Sequence, residues 1–310
     1  MSSLTLNKVE ILVVDPNSNA RRSVQAALQN YGYPEFDFAG SFREVRDKFR
    51  IREPDMIISE AELPDGTLSE FVRRLRNDEI SGNPFLPIIG ISSDSSKTVM
   101  AELDASGVDA ILSRPLSTTH LVKCITEIMN KERQFLVTAS YIGPVRPSAI
   151  PTDGIGAEPI DVPHTLKSKS SGLGYRSMYE DISNATKLIN RLKMSRLSEK
   201  IVMLTNGIAE ILEEHGFADE AHGLFEDILK ASRDAGQRVA GTDYAHVTDL
   251  CESLIKLLNK ICIEDEGAIK KDIKLLKPMA SSIHLAFSES EEAAAFSRQV
   301  SNSVSTRHTT

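Results

Sequence analysis

The sequence predicts an α/β domain with a doubly wound parallel sheet, followed by an all-α helical domain. Short apolar runs alternate with amphipathic segments over the first 130 residues. Each run is almost wholly hydrophobic, which is typical of parallel strands covered by helices on both faces. From Tyr179 onward, the apolar residues recur only at helical spacing.

Five apolar runs predict five strands, and a segment with helical periodicity follows each of them. The runs are Val9–Val14, Phe36–Gly40, Met56–Ile58, Ile88–Ile91 and Val108–Leu112. In the intervening segments apolar residues recur every three or four positions, as in Leu68, Phe71, Val72 and Leu75. The carboxyl ends of such strands meet at one edge of the sheet, where ligands bind.

Composition and charge exclude several classes of protein. The chain has 310 residues, 41% of them hydrophobic, with a formal net charge of −8 and no basic patch, so nucleic-acid binding is not expected. Three cysteines form no CxxC pair and indicate reduced thiols in a cytoplasmic protein. No run of 18 apolar residues and no signal-peptide pattern is present, so we expect neither a membrane span nor export.

Polar side chains stand at the ends of four predicted strands. Asp15, Glu60, Ser92 and Arg114 follow the first, third, fourth and fifth strand, and we expect them to lie together. Two neighbouring features receive simpler interpretations: Asp65 before Gly66 indicates a turn, and the pair Arg21 and Arg22 indicates a solvated helix face.

These strand ends carry a family resemblance. The segments "ILVVDPNSNARR", "PDMIISEAELPDG", "LPIIGISSDSS" and "GVDAILSRPL" resemble the signature strand ends of the response-regulator receiver domain, which has the CheY-like, flavodoxin-like (βα)5 fold. In that family two acidic residues follow the first strand, a phosphate-accepting aspartate the third, a Ser or Thr the fourth, and a Lys-Pro pair the fifth. The resemblance places Asp15 and Pro16, Glu60, Ser92, and Arg114–Pro115 at these positions, and it implies a cis peptide before Pro115.

Three of these positions depart from the family pattern, which predicts a degenerate pseudo-receiver. Pro16 supplies no magnesium ligand, and Mg²⁺ demands near-ideal octahedral geometry. Glu60 reaches about 1.5 Å farther than an aspartate, which makes it a poor acceptor in an in-line phosphoryl transfer. Arg114 can hold a carboxylate through two parallel hydrogen bonds. We therefore expect no cofactor, although a weak Mg²⁺ site at Asp15 and Glu60 stays open.

Two function classes remain open. In the first, Glu60 imitates part of the reach of a phosphorylated aspartate, and the protein is a non-enzymatic, phosphorylation-independent adaptor. In the second, it is a phosphorelay component, with residual acceptance at the receiver site or transfer through His222 or His284. A simple solvated ion pair between Glu60 and Arg114, contributing under about 1 kcal/mol, is the plainest alternative.

The resemblance also implies an output face, made by the fourth helix, the fifth strand and the fifth helix. On or near this face we expect Val99, Ile111 and Leu121. A signalling protein would bind there, and a homodimer through the same face is an open alternative; we expect no nucleic acid and no membrane as a partner. The identity of the partner and the pathway does not follow from the sequence.

Changes in composition predict the domain organisation. Residues 1–131 form the receiver-like domain, 132–177 a Pro/Gly/Ser-rich linker, 178–288 a helical bundle, and 289–310 a disordered tail. Within the linker, Phe135 and Tyr141 are expected to pack back on the receiver-like domain, and packing on a partner is the open alternative. Glycines at 216, 236 and 241 predict breaks between the helices, and Pro278 a kink or an end. The helical stripes begin with Ile182, Ala185, Leu188, Ile189 and Leu192, and with Ile201, Leu204, Ile208 and Ile211.

Overall fold

The computed structural model describes residues 9–33, 35–80, 82–150, 158–170, 175–215, 219–239, 245–261 and 272–286. The chain divides into two compact units, Met1–Ile189 and Asn190–Thr310, which are treated separately below. Within the described ranges, no helix has both the length and the apolar character that crossing a membrane requires.

The first unit contains the predicted five-stranded parallel sheet. Its strands are β1 (Glu10–Val14), β2 (Glu35–Ala39), β3 (Met56–Glu60), β4 (Ile88–Ser92) and β5 (Ala110–Ser113). They pair in the order β2-β1-β3-β4-β5, with every neighbouring pair parallel. This is the flavodoxin-like order, and the predicted fold class is confirmed.

Five helices alternate with these strands. They are α1 (Ser18–Gln29), α2 (Phe42–Phe49), α3 (Leu68–Arg76), α4 (Lys97–Ser106) and α5 (Thr118–Asn130). Each begins after a residue whose side-chain oxygen accepts a backbone N–H of the first turn, namely Asn17, Ser41, Thr67, Ser96 and Ser117. Such caps typically contribute about 1 kcal/mol each, and they fix where each helix leaves its strand.

The core has two layers, because side chains alternate along each strand. Leu12 and Val14 of β1 belong to one buried cluster, together with side chains of α2, α3 and α4. Ile11 and Val13 belong to the other, together with side chains of α1 and α5. Both faces of the sheet are thus covered by apolar side chains, and polar side chains can lie at the two edges where the strands begin and end.

Residues 134–170 contain regular structure where the composition predicts a linker. A small antiparallel sheet comprises β6 (Gln134–Val137), β7 (Ile142–Pro144) and β8 (Ile160–Asp161), and α6 (Thr165–Ser170) follows it. The linker interpretation is wrong for these elements, since Gly143 and Pro144, which are typical of linkers, lie within β7 itself. Phe135 and Leu166 are fully buried, at 0% exposure.

This segment packs on the five-stranded domain, as predicted for Phe135. The Phe135 ring lies 5.7 Å from the ring of Phe85, between centroids, and Tyr141 is 7% exposed. Lys169 of α6 pairs with Asp55, at the start of β3, at 2.5 Å. Desolvation raises the pKa of the Asp55 carboxyl, although bonds from Lys169 and from the Glu10 amide partly oppose the shift.

The carboxyl-terminal region is predominantly helical, as predicted. Its helices are α7 (Tyr175–His215), α8 (Asp219–Val239), α9 (Ala245–Ile261) and α10, residues 272–286. Two predicted stripes, 182–192 and 201–211, lie on the single helix α7. Gly236 lies inside α8 and does not break it. A Cβ atom at this position would make only an ordinary contact with Cys251 of α9, at 3.5 Å. Pro278 likewise lies within α10.

Several predictions concern residues outside the described ranges. These are the disordered tail at 289–310, Cys262, and the breaks at Gly216 and Gly241. The domain boundaries at residues 131 and 177 remain predictions.

Candidate functional site

Three of the predicted site residues meet at the carboxyl edge of the sheet. Arg114, just after β5, donates from Nε and Nη2 to Glu60 Oε2 at 2.9 and 2.6 Å. Its Nη2 also donates to Asp15 Oδ2 at 2.7 Å. The Arg114 side chain is 31% exposed, that of Glu60 15% and that of Asp15 9%, so solvent screens the ion pairs only in part.

The geometry differs from two parallel hydrogen bonds between Arg114 and one carboxylate. Both nitrogens that face Glu60 share its single oxygen Oε2, and Nη2 reaches on to Asp15. The guanidinium therefore bridges two carboxylates from neighbouring strands. A glutamate is one methylene longer than an aspartate, and at this position its Oε2 lies within hydrogen-bond distance of two Arg114 nitrogens.

Local backbone bonds hold Asp15 and Arg114 in place. Asp15 Oδ1 accepts the Asn17 amide at 2.7 Å, at the cap of α1. The Arg114 amide donates to Ser92 O at 2.9 Å, and the Arg114–Pro115 peptide is cis, as the resemblance implies. These bonds are separate from the ion pair, and they hold Asp15 and the Arg114 backbone at the strand ends.

Arg21 belongs to this site, although the sequence indicated only a solvated helix face. Its Nη1 donates to the carbonyl oxygen of Asp15. The contact links α1 to the end of β1 and brings a second guanidinium to the backbone of Asp15. The available signal was an arginine in the first turn of the helix that follows an acidic strand end. Adjacent arginines such as Arg21 and Arg22 are, however, also common on solvated helices.

Ser92 is buried at the site, but it does not contact Glu60. Its hydroxyl donates to Asp94 O at 2.9 Å and accepts from Asp94 N at 3.1 Å. The hydroxyl therefore closes the loop between β4 and α4. The Arg114 cation therefore lies against Glu60, whereas the Ser92 hydroxyl stays in its own loop.

The residues present do not fit a magnesium ion. Pro16 offers no side-chain oxygen, and the Arg114 guanidinium lies between the two carboxylates that would have to ligate the ion. Among the residues that the structure describes, no three His, Cys, Asp or Glu side chains come together to hold a metal. We therefore assign no step at this site to Mg²⁺.

Asp65 has a larger role than the predicted turn. Its two carboxylate oxygens accept the Phe42 and Arg43 amides at 2.9 and 2.8 Å, at the start of α2. Desolvation tends to raise the pKa of Asp65, but these backbone bonds outweigh it and hold the pKa below its ordinary value of 3.8. The loop after Glu60, which pairs with itself at 62–63 and 66–67, is thereby tied to α2.

The predicted output face needs one correction. Leu121 of α5 is fully buried in the core with α1, so it cannot contact a partner. Its position in the apolar stripe of the helix explains both the prediction and the error. Val99 of α4 and Ile111 of β5 are partly buried and pack against the other core cluster, which leaves part of each side chain at the surface.

The two histidines proposed for phosphotransfer differ in what can be said of them. His284 on α10 is partly buried, and its Nδ1 lies 3.0 Å from the Ser198 hydroxyl of α7. His222 lies on α8, but its side chain is outside the described part of the structure.

Comparisons with known proteins agree with this architecture. The family model for the response regulator receiver domain matches residues 11–126. The chain is 34% identical over 111 residues to the KDP operon transcriptional regulatory protein KdpE of Escherichia coli, covering 36% of this chain and 47% of that protein. It is 30% identical over 132 residues to Hybrid signal transduction histidine kinase D of Dictyostelium discoideum, covering 42% and 8%.

Among solved structures, the chemotaxis response regulator CheY4 of Vibrio cholerae matches with 29% identity and a TM-score of 0.35, over 39% of this chain and 98% of that one. The chain spans about half of the length of KdpE and far less of the kinase. These comparisons support a response-regulator receiver domain at residues 11–126.

Proposed function

We propose that this receiver is a phosphorylation-independent adaptor that acts in the cytoplasm by protein–protein interaction and catalyses no reaction. One observation carries the proposal: Arg114 bridges Glu60 and Asp15 with three hydrogen bonds. A permanent internal cation thus stands between the two carboxylates that a phosphorylatable receiver would offer to a metal ion.

The same contacts weigh against phosphoryl transfer to Glu60. Two charge-assisted bonds to Oε2 fix the orientation of the Glu60 carboxylate and draw its negative charge toward Arg114, which weakens it as a nucleophile. The longer side chain also displaces the nucleophile, and in-line transfer tolerates little displacement. Transfer through a histidine has less support, since His284 is engaged with Ser198.

Glu60 supplies part of the charge arrangement of a phosphorylated receiver. Its negative charge holds the cation at the end of β5, whereas the Ser92 hydroxyl stays with Asp94. The resulting state is fixed at β5 and independent of any phosphodonor. The face of α4, β5 and α5 then presents one standing arrangement to a signalling protein or to a second copy of the chain.

The test compares association by the full-length wild type, Glu60→Ala, Arg114→Ala and the double variant, with Arg50→Ala as matched control. Arg50 is the exposed arginine that directly follows α2, and it pairs with Asp47 at 3.2 Å rather than with any residue of the site. Self-association is followed by sedimentation velocity, and retention of the host proteins that the wild type binds is quantified by pull-down.

We expect both single variants to weaken association and the control to leave it unchanged. Arg114→Ala should have the larger effect, because it leaves two carboxylates without their cation, whereas Glu60→Ala leaves the pair of Arg114 with Asp15. The double variant should resemble Arg114→Ala, since the two residues act as one unit. If all variants associate like the wild type, Glu60 and Arg114 are only an ion pair and the proposal fails.

A further inference from the structure

The helix α4 and the start of β5 are held at the sheet edge opposite Glu60 by the chain that follows the receiver. We call residues 133–150 the brace; it contains β6, β7 and a 3-10 turn at Pro147–Ala149. The brace contacts the receiver at three places that lie before β5, between α4 and β5, and on α4 itself.

The first contact is centred on Asp109, the residue before β5. Its carboxylate accepts from Arg76 Nη2 at 3.1 Å and from the Ile88 amide at 2.7 Å, and it pairs with Arg133 Nη2 at 2.7 Å. Both guanidinium groups also lie near the Phe135 ring, with that of Arg76 5.2 Å and that of Arg133 5.3 Å from the ring centroid. Burial lowers the pKa of Arg76 to about 10, with Asp109 opposing the shift.

The second contact is a close approach of two backbones. Gly107 ends α4 with a left-handed φ of 92°, and β7 lies directly against it. A methyl group on Gly107 would lie 2.6 Å from Ile142 O, and one on Gly143 would lie 2.7 Å from the Gly107 Cα. Only glycine fits at both positions, so the hairpin of the brace packs against the turn from α4 to β5.

The third contact holds the last turn of α4. Arg146 donates to the Asp104 carbonyl at 3.0 Å, to the Asp104 carboxylate and to Val108 O. The Ser148 hydroxyl donates to the other carboxylate oxygen of Asp104. One arginine thereby caps carbonyl groups at the end of α4 and binds an acidic side chain on that turn. The Arg146 side chain is only 13% exposed.

We propose that the brace is a built-in clamp that sets the position of α4 and of the start of β5. The clamp acts from the edge where the strands begin, and Arg114 fixes β5 from the edge where it ends. In a receiver whose output face includes α4, such a clamp makes the placement of α4 depend on residues 133–150 and not only on the Glu60 pocket. The inference does not rely on the proposed role of Glu60.

Hydrogen exchange of the full-length protein tests the clamp, read by mass spectrometry in peptides covering residues 97–113. Arg146→Ala should speed amide exchange in α4 by about tenfold, because it removes charge-assisted bonds to the helix end. Peptides from β1 and β3 should keep their wild-type rates. Arg146→Lys should restore part of the protection, and Arg50→Ala should have no effect on α4.

Gly143→Ala provides a second variant that lifts β7 without removing a charge, and α4 should again exchange faster. Glu60→Ala is measured beside them, to separate the two ends of β5. Wild-type exchange of α4 in both Arg146→Ala and Gly143→Ala would overturn the clamp. Faster exchange of α4 in Glu60→Ala alone would also overturn the clamp, because the position of α4 would then depend on the site of Glu60 and Arg114.

Discussion

Replacing Phe135 by alanine should destabilise the receiver, although this residue lies beyond the region that matches the family model. The side chain is fully buried, and truncating a buried phenylalanine typically costs about 3–5 kcal/mol. Its ring also packs against Phe85 and covers the buried guanidinium of Arg76, so we expect a loss of about 4–5 kcal/mol. For a domain of this size that corresponds to roughly 10 °C or more in Tm.

The assay is amide exchange of the full-length chain as a function of urea, read in peptides from β1, β3 and β4. These central strands report the opening of the receiver alone, whatever the helical unit does. Tyr31→Ala is the control, since this aromatic side chain is 49% exposed and should cost below about 1 kcal/mol. If Phe135→Ala lowers the free energy of unfolding by less than about 1 kcal/mol, the brace does not contribute to the core of the receiver, and this reasoning is refuted.

Two further predictions concern the loops at the carboxyl edge. The variant Pro16→Asp/Glu60→Asp should bind Mg²⁺ weakly in titration calorimetry. Adding Arg114→Lys should tighten binding, because the guanidinium no longer bridges the carboxylates. Equal Mg²⁺ affinities of the double and the triple variant would refute this. Asp65 has a lowered pKa, so its ionised form contributes stability above pH 3.8 that is lost as the pH falls through the lower folded pKa. Asp65→Asn should therefore lower the urea midpoint of unfolding at neutral pH and leave it unchanged near about pH 2. The same difference in midpoint between variant and wild type at both pH values would contradict this reasoning.

Much of the receiver could be predicted from the sequence because parallel strands buried on both faces leave continuous apolar runs. The runs around β1, β3 and β4 locate the strand ends, and the meeting of Asp15 with Arg114 follows from the topology. The detailed pairing did not follow, since the sharing of one Glu60 oxygen depends on side-chain reach that no sequence pattern encodes.

The brace could not be predicted for a different reason. Its strands β6 and β7 are four and three residues long, too short for a period-two pattern, and its Pro and Gly residues are also typical of linkers. Leu121 shows a related limit: an apolar helix stripe predicts burial or a binding face equally well, and only packing against α1 decides between them. The signal from Arg21 was too weak to use, because its partner is a backbone carbonyl that no side-chain pattern reveals.

The central claim is that Glu60 sets the state of this receiver without accepting phosphate. Its most direct test is the intact mass of the full-length protein after incubation with acetyl phosphate and Mg²⁺, with the Pro16→Asp/Glu60→Asp/Arg114→Lys variant treated in parallel. The wild type should keep its mass, and the restored variant should gain one phosphoryl group. A stoichiometric gain of one phosphoryl group by the wild type, abolished in Glu60→Gln, would contradict the account.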